Sequence, residues 1–156
     1  MNVEIERKFK VSNLDFIKES SSFKFIKQGY LSKDEQKTIR VRIADDKAFL
    51  TIKGKSSDDG LQRFEWEKEI HLSEAEELFT LITDTLIIKK RYNVSYKEHL
   101  FEVDVFEGDN TGLIIAEVEL KSIDECVNLP KWIGEEVTGE LKYYNSKLID
   151  FPFCKW

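Results

Sequence analysis

Apolar and polar residues alternate along most of this chain. In VEIERKFKV (3–11), Val3, Ile5 and Phe9 fall on one side of an extended backbone, and Glu4, Glu6 and Lys8 on the other. The same two-residue period recurs in FKFIKQGYL (23–31), KTIRVRI (37–43), KAFLTIKG (47–54), RFEWEKEIHL (63–72), LIIKKRYNVSY (86–96), HLFEVDVFE (99–107) and LIIAEVELK (113–121). Eight such runs, rich in β-branched and aromatic residues, predict one mainly antiparallel sheet or barrel. Asp45-Asp46, between the third and fourth runs, and Lys97-Glu98, between the sixth and seventh, read as tight hairpin turns.

Helical spacing interrupts the alternation in three places. In LSEAEELFTLI, Ser73 as N-cap with Glu76 three residues later forms a capping box ahead of Leu78, Phe79, Leu81 and Ile82, which predicts a helix over 74–83. Shorter helices are predicted near 13–20 and 140–150. GKSSDDGLQ (54–62) has the composition of a mobile loop.

The charged residues of the strands fall in phase. Arg40 and Arg42 oppose Ile39, Val41 and Ile43, and Lys53 follows Phe49 and Thr51. Glu65 and Glu67 oppose Phe64 and Trp66, and Lys89 and Arg91 share a face of their strand. Glu102 and Asp104 oppose Phe101, Val103 and Val105, and Glu117 and Glu119 oppose Ala116, Val118 and Leu120. For any single strand a solvated face is the simpler reading. As a set, the charges sort by sign, and eight strands suffice to close a sheet on itself and enclose one face.

Enclosed charges need partners, water or a charged ligand, because unpaired burial costs several kcal/mol per group. A highly anionic ligand together with a divalent metal satisfies both signs. Lys8, Arg40, Arg42, Lys53, Lys89 and Arg91 suit phosphate oxygens. The glutamate pairs provide the hard oxygens that Mg²⁺ or Mn²⁺ prefers. Several phosphates in a row account for so many cations; a single phosphate does not.

Composition narrows the class. The 156 residues are 41% hydrophobic and 35% charged with seven Gly and two Pro, which fits one globular domain over 1–156. A net charge of −6 argues against nucleic acid as a partner. Cys126 and Cys154 match no metal or redox spacing. No charged, apolar leader precedes the first strand and no apolar run approaches the roughly 20 residues that span a bilayer, so the expectation is a cytoplasmic protein with no membrane partner.

The E-x-E-x-K of Glu4, Glu6 and Lys8, the R-x-R of Arg40 and Arg42, LTIKG around Lys53, the E-x-E of Glu65 and Glu67, the K-x-R of Lys89 and Arg91, DVFEG (104–108), AEVEL (116–120) and the late EEVTGELKYYN (135–145) together resemble the CYTH domain, or triphosphate tunnel metalloenzyme, superfamily. The resemblance runs in order over nearly the whole chain. It implies an α+β protein, mainly antiparallel β, built as a closed eight-stranded tunnel with a few flanking helices.

It also implies a metal-dependent hydrolase that cleaves a terminal phosphate from a small triphosphate. QGYL (28–31) and the short length are most similar to the bacterial inorganic triphosphatases, with a class IV-type adenylate cyclase or a thiamine triphosphatase as alternatives. By the same resemblance Lys8, Arg40, Arg42, Lys53, Lys89 and Arg91 bind phosphate, joined by Tyr30, whose alternative is strand packing. Glu4, Glu6, Glu65, Glu67, Glu117 and Glu119 hold metal or position water, with Asp104 added on parity. Lys53, Glu65 and Lys89 are the candidate catalytic residues, and a metal, a glutamate or Lys53 remain alternative holders of the attacking water.

Other residues read as structural. His71 and His99 read as surface groups, Trp66 and Trp132 as core or helix-packing groups, Trp156 as terminal, and Tyr143 and Asn145 as support for the fold. A non-catalytic polyphosphate- or nucleotide-binding module and a plain β domain with solvated charges are the rival classes. The chain leaves room for a homodimer packed through its outer faces.

Overall fold

The computed structural model describes residues 2–156. All eight alternating runs are strands: Val3–Val11 (β1), Ser22–Asp34 (β2), Lys37–Ala44 (β3), Lys47–Gly54 (β4), Gln62–Ile70 (β5), Ile87–Tyr96 (β6), His99–Phe106 (β7) and Ile114–Glu119 (β8). They pair in the order β5-β4-β3-β2-β6-β7-β8-β1, every neighbour antiparallel, and β5 pairs with β1 to close the ring. Both two-residue turns carry the positive φ such hairpins require, 53° at Asp45 and 57° at Lys97.

A ninth strand, Ile133–Glu136 (β9), lies on the same edge of β1 as β5. Four residues, IGEE, are too few to show an alternation. β5 pairs with Val3, Glu4 and Ile5, and β9 with Phe9 and Val11. The stretch between is closed by main chain: Glu6 N donates to Leu61 O at 2.9 Å, and Val137 N to Lys8 O at 2.8 Å. Gly60 and Gly139 meet in this seam. A Cβ on Gly60 would stand 2.2 Å from Gly139 Cα, and both residues have positive φ, so neither position has room for a side chain.

The helices are Phe16–Glu19 (α1), Leu72–Phe79 (α2) and Asn145–Leu148 (α3). α2 starts and ends earlier than its pattern predicts. The chain turns directly out of β5, so His71 takes the extended cap conformation and accepts the capping box with Glu74, whose carboxylate accepts from His71 N at 2.9 Å. Ser73 and Glu76 lie inside the helix rather than at its cap. The helix predicted near 140–150 is divided by extended Tyr144 into a 3-10 turn at Leu141–Tyr143 and α3.

Three apolar clusters hold the barrel. Phe16 of α1 packs with Phe9, Phe101, Val103, Val118 and Trp132 on one outer flank, and Ala75 of α2 with Val41 and Ala48 on another. The third lies at one end of the interior: Ile87, Phe106 and Ile115 join Leu113, Val137, Tyr143 and Leu148. The helices cover the outer face only in part, because α1 is one turn long and α2 packs mainly on β3 and β4. Phe23, Phe25 and Phe64 stay exposed. Trp132 is a core residue at 1% exposure, whereas Trp66 is exposed at 37%, because the α2 cluster on that face of β5 takes in Ile70 and not Trp66. Cys126 and Cys154 are both exposed. Among the described residues no helix is long and apolar enough to cross a membrane.

Candidate active site in the barrel

The interior cavity, about 760 Å³ with its open mouth, is lined by Glu4, Glu6, Lys8, Tyr30, Arg40, Arg42, Lys53, Lys89, Arg91 and Glu117. These residues come from β1, β2, β3, β4, β6 and β8, so strand alternation alone turns them inward. Barrel closure then brings them together.

One wall is basic and rigidly held. Asp104 of β7 stands opposite Arg91 of β6 in the antiparallel register. Its Oδ1 accepts from Arg91 Nε at 2.7 Å, and its Oδ2 from Lys89 Nζ at 2.7 Å and Arg91 NH2 at 2.8 Å. Burial works against ionising Asp104, yet Arg91 and then Lys89 hold its carboxyl well below the usual range. Burial also lowers the Lys89 ammonium to about 7. Arg40 donates through NH2 to Thr51 Oγ1 at 3.1 Å and to Glu67 Oε2 at 3.4 Å, while its buried Nε has no partner. Arg42 donates through Nε to Gln28 Oε1 at 2.9 Å, and its terminal nitrogens bond no other described side chain. Burial, then Arg40 and Arg91, lower the Arg42 pKa, but a guanidinium there still carries its charge at neutral pH.

The facing wall is acidic. Lys53 Nζ lies 2.9 Å from Glu4 Oε1 and 3.1 Å from Glu65 Oε2. Burial, then a proton shared with Glu65, pushes Glu4 up to about 7, and the same hydrogen bond lowers Glu65 against the effect of its burial. Glu6 accepts no hydrogen bond from a described side chain. Burial, then Glu117 and Glu4, push it up to about 8. Lys8, with its ammonium 3.7 Å from Glu117 and 4.7 Å from the centre of the Tyr144 ring, holds Glu117 down at about 2 despite burial.

The register places Glu119 opposite Glu6 and Glu117 opposite Lys8 across the β1–β8 pair. Glu4, Glu6, Glu117 and Glu119 therefore gather several hard oxygens, of which only those of Glu4 accept a hydrogen bond from a described cation, and that donor chemistry fits a divalent cation. Among the described residues no three such groups already stand at coordinating spacing; Lys53 and Lys8 hold Glu4 and Glu117 instead.

Glu65, Glu67, Asp104 and Glu119 do not themselves border the cavity. Glu65 acts through Lys53 and Glu4, Glu67 accepts from Thr51 Oγ1 at 2.7 Å, and Asp104 has both oxygens occupied by Lys89 and Arg91. His71 caps α2 and His99 Nε2 lies 2.8 Å from Glu125 Oε1; neither lines the cavity. Tyr143 belongs to the interior apolar cluster, as a supporting residue should. Asn145 does more than support: with Thr138, Tyr144 and Ser146 it walls the cavity. These four, on an irregular segment, have no periodicity to reveal them. Gln28 and Thr38, also buried beside the cations, fall in phase with Tyr30 and Arg40 on their strands, and that signal was available.

The family profile described as CYTH domain matches residues 2–150. A protein named inorganic triphosphatase from Acetivibrio thermocellus is 42% identical over 154 residues, 98% of this chain and 97% of that one. An inorganic triphosphatase from Nitrosomonas europaea is 35% identical over 149 residues, 93% of this chain and 95% of that one. The crystal structure of the inorganic triphosphatase NE1496 superposes with a TM-score of 0.65, at 31% identity, covering 96% of this chain and 95% of that one.

Proposed function

The chain belongs to the CYTH domain family, and on that premise we propose that it is a divalent-metal-dependent inorganic triphosphatase working inside its barrel. The observation that carries this reading is the pair of inward guanidiniums with donors to spare: among the described residues Arg40 has a buried Nε without an acceptor, and Arg42 has no hydrogen-bond partner at its terminal nitrogens. Two such forks side by side, with Lys89 and Arg91 beyond them, suit a chain of phosphates better than a single anion.

The reaction is attack of water on a terminal phosphorus, in line with the leaving diphosphate. The protein contributes mainly position and charge. Arg40, Arg42, Lys89 and Arg91 hold the phosphate oxygens and offset the charge that gathers on the leaving group. Lys53 keeps its proton, because Glu4 raises its pKa against the effect of burial, so it serves as a cation toward the transferring phosphoryl group and not as a base. Glu65, kept ionised and 3.1 Å from the Lys53 ammonium, stands behind the cavity wall and acts through that ammonium, fixing its position and charge. Glu4, Glu6, Glu117 and Glu119 would hold Mg²⁺ or Mn²⁺, which when bound polarises phosphoryl oxygens.

The reading takes the enzyme as cytoplasmic and its partner as a free triphosphate; the net charge of −6 supports the absence of nucleic acid. Phosphate release from inorganic triphosphate, ATP and thiamine triphosphate tests it, with inorganic triphosphate expected to be cleaved fastest. Binding of all three without phosphate release would favour a non-catalytic polyphosphate-binding module.

A further inference from the structure

Asn145 opens α3, in the segment that follows β9. Its Oδ1 accepts from Lys89 Nζ at 2.8 Å and from Gln28 Nε2 at 3.1 Å. Gln28 is fully buried, and its Oε1 accepts from Arg42 Nε at 2.9 Å. Four side chains from β6, α3, β2 and β3 thus form one chain of hydrogen bonds with a phosphate-binding cation at each end.

The donor count gives the arrangement its meaning. An ammonium has three N–H groups. Asp104 takes one from Lys89 and Asn145 another, which leaves one for whatever enters the cavity that Lys89 lines. Among the described residues Arg42 is held through Nε alone, so both arms of its fork stay open. Both links between these cations are neutral amides. A carboxylate at either place would accept the same hydrogen bonds, but it would also cancel positive charge that an anionic substrate needs. Asp104 already stands as counterion to Lys89 and Arg91.

We propose that Asn145 is a positioning residue: with Gln28 as relay it aims Lys89 and Arg42 at the phosphate chain without neutralising them. This rests on the triphosphatase reading. It gives the C-terminal segment a part in substrate binding that strand alternation does not reveal.

The test compares Asn145→Ala, Asn145→Asp, Gln28→Ala and the Asn145→Ala/Gln28→Ala double variant, by steady-state kinetics on inorganic triphosphate and by thermal unfolding. Asn145→Ala is expected to raise KM about tenfold. Asn145→Asp, which keeps the shape and the accepting oxygen, is expected to raise KM further, with kcat changed less and Tm close to wild type. The double variant is expected to lose less than the product of the two single losses, because both act on one chain of bonds.

A wild-type KM in Asn145→Asp, or a fully multiplicative double variant, would overturn the proposal and leave Asn145 a structural residue. If wild type binds triphosphate without cleaving it, the triphosphatase reading fails, and the same ordering read by calorimetric affinity still decides the role of Asn145. Absence of triphosphate binding in wild type overturns both.

Discussion

Lys53 Nζ stands 2.9 Å from Glu4 Oε1, an ion pair that reaches across a whole strand: Lys53 is on β4, Glu4 on β1, and Glu65 of the intervening β5 is 3.1 Å from the same ammonium. One cation thus binds two carboxyls at the place where the sheet closes into a barrel. Replacing it removes a cation from the cavity lining and the ammonium that Glu4 and Glu65 share. Lys53→Ala should lower kcat by about 10²–10³-fold and move the acid limb of the pH–rate profile upward. A change in KM alone would make Lys53 a binding group only.

Arg40 should act earlier in the cycle. Its buried Nε has no acceptor, whereas NH2 is held by Thr51 and Glu67. Arg40→Ala is expected to raise KM by roughly tenfold to a hundredfold with a smaller change in kcat. Arg40→Lys should recover little, since an ammonium cannot reproduce the fork. Steady-state kinetics on inorganic triphosphate checks both, and a KM equal to wild type in either variant would remove Arg40 from the binding wall.

Stability should vary with pH in a way set by the acidic wall. Glu4 and Glu6 lose their protons at about 7 and about 8 in the folded protein, against an ordinary value of 4.5. Between about pH 5 and pH 7 the folded chain therefore holds more protons than the unfolded chain, and its stability falls as pH rises. Lys89, lowered to about 7, reverses the sign above neutrality, where the unfolded chain holds the extra proton. Thermal unfolding without divalent cation should show Tm declining from about pH 5 toward neutrality. Glu6→Gln should flatten that decline, and a Tm that rises over this interval would contradict the assignment.

Asp104 carries the opposite lesson about charge. It is 1% exposed and compensates Lys89 and Arg91 together. Asp104→Ala leaves buried Lys89 without a counterion and Arg91 with Glu102 alone, at 3.2 Å, a loss of about 3–5 kcal/mol and on the order of 10 °C in Tm. Calorimetry or fluorescence-monitored unfolding would show it. A Tm within a degree or two of wild type would mean that solvent reaches these groups freely.

The barrel was legible because a strand writes its two faces into the sequence at every second residue. Glu4, Glu6 and Lys8 face the cavity for the same reason that Val3, Ile5 and Phe9 face away from it. Placement beyond the inward face needed register. Asp104 was assigned to metal on parity; the two-residue turn at Lys97-Glu98 pairs Tyr96 with His99 and so carries Arg91 opposite Asp104, which makes it a counterion. The cap of α2 lies two residues earlier than Ser73, because His71–Glu74 and Ser73–Glu76 offer the same spacing and only the end of β5 at Ile70 chooses between them. Asn145, Tyr144 and Thr138 lie on chain with no period, and the fold alone brings them to the cavity.

A barrel that holds and cleaves a short phosphate chain must convert it to defined products. The most direct measurement is product analysis of purified protein incubated with inorganic triphosphate and Mg²⁺ or Mn²⁺, beside the Arg42→Ala variant. Wild type is expected to yield one phosphate and one diphosphate per triphosphate, with turnover strongly reduced in the variant at limiting substrate. Intact triphosphate with wild-type protein under both metals, or equal turnover in the variant, would contradict it.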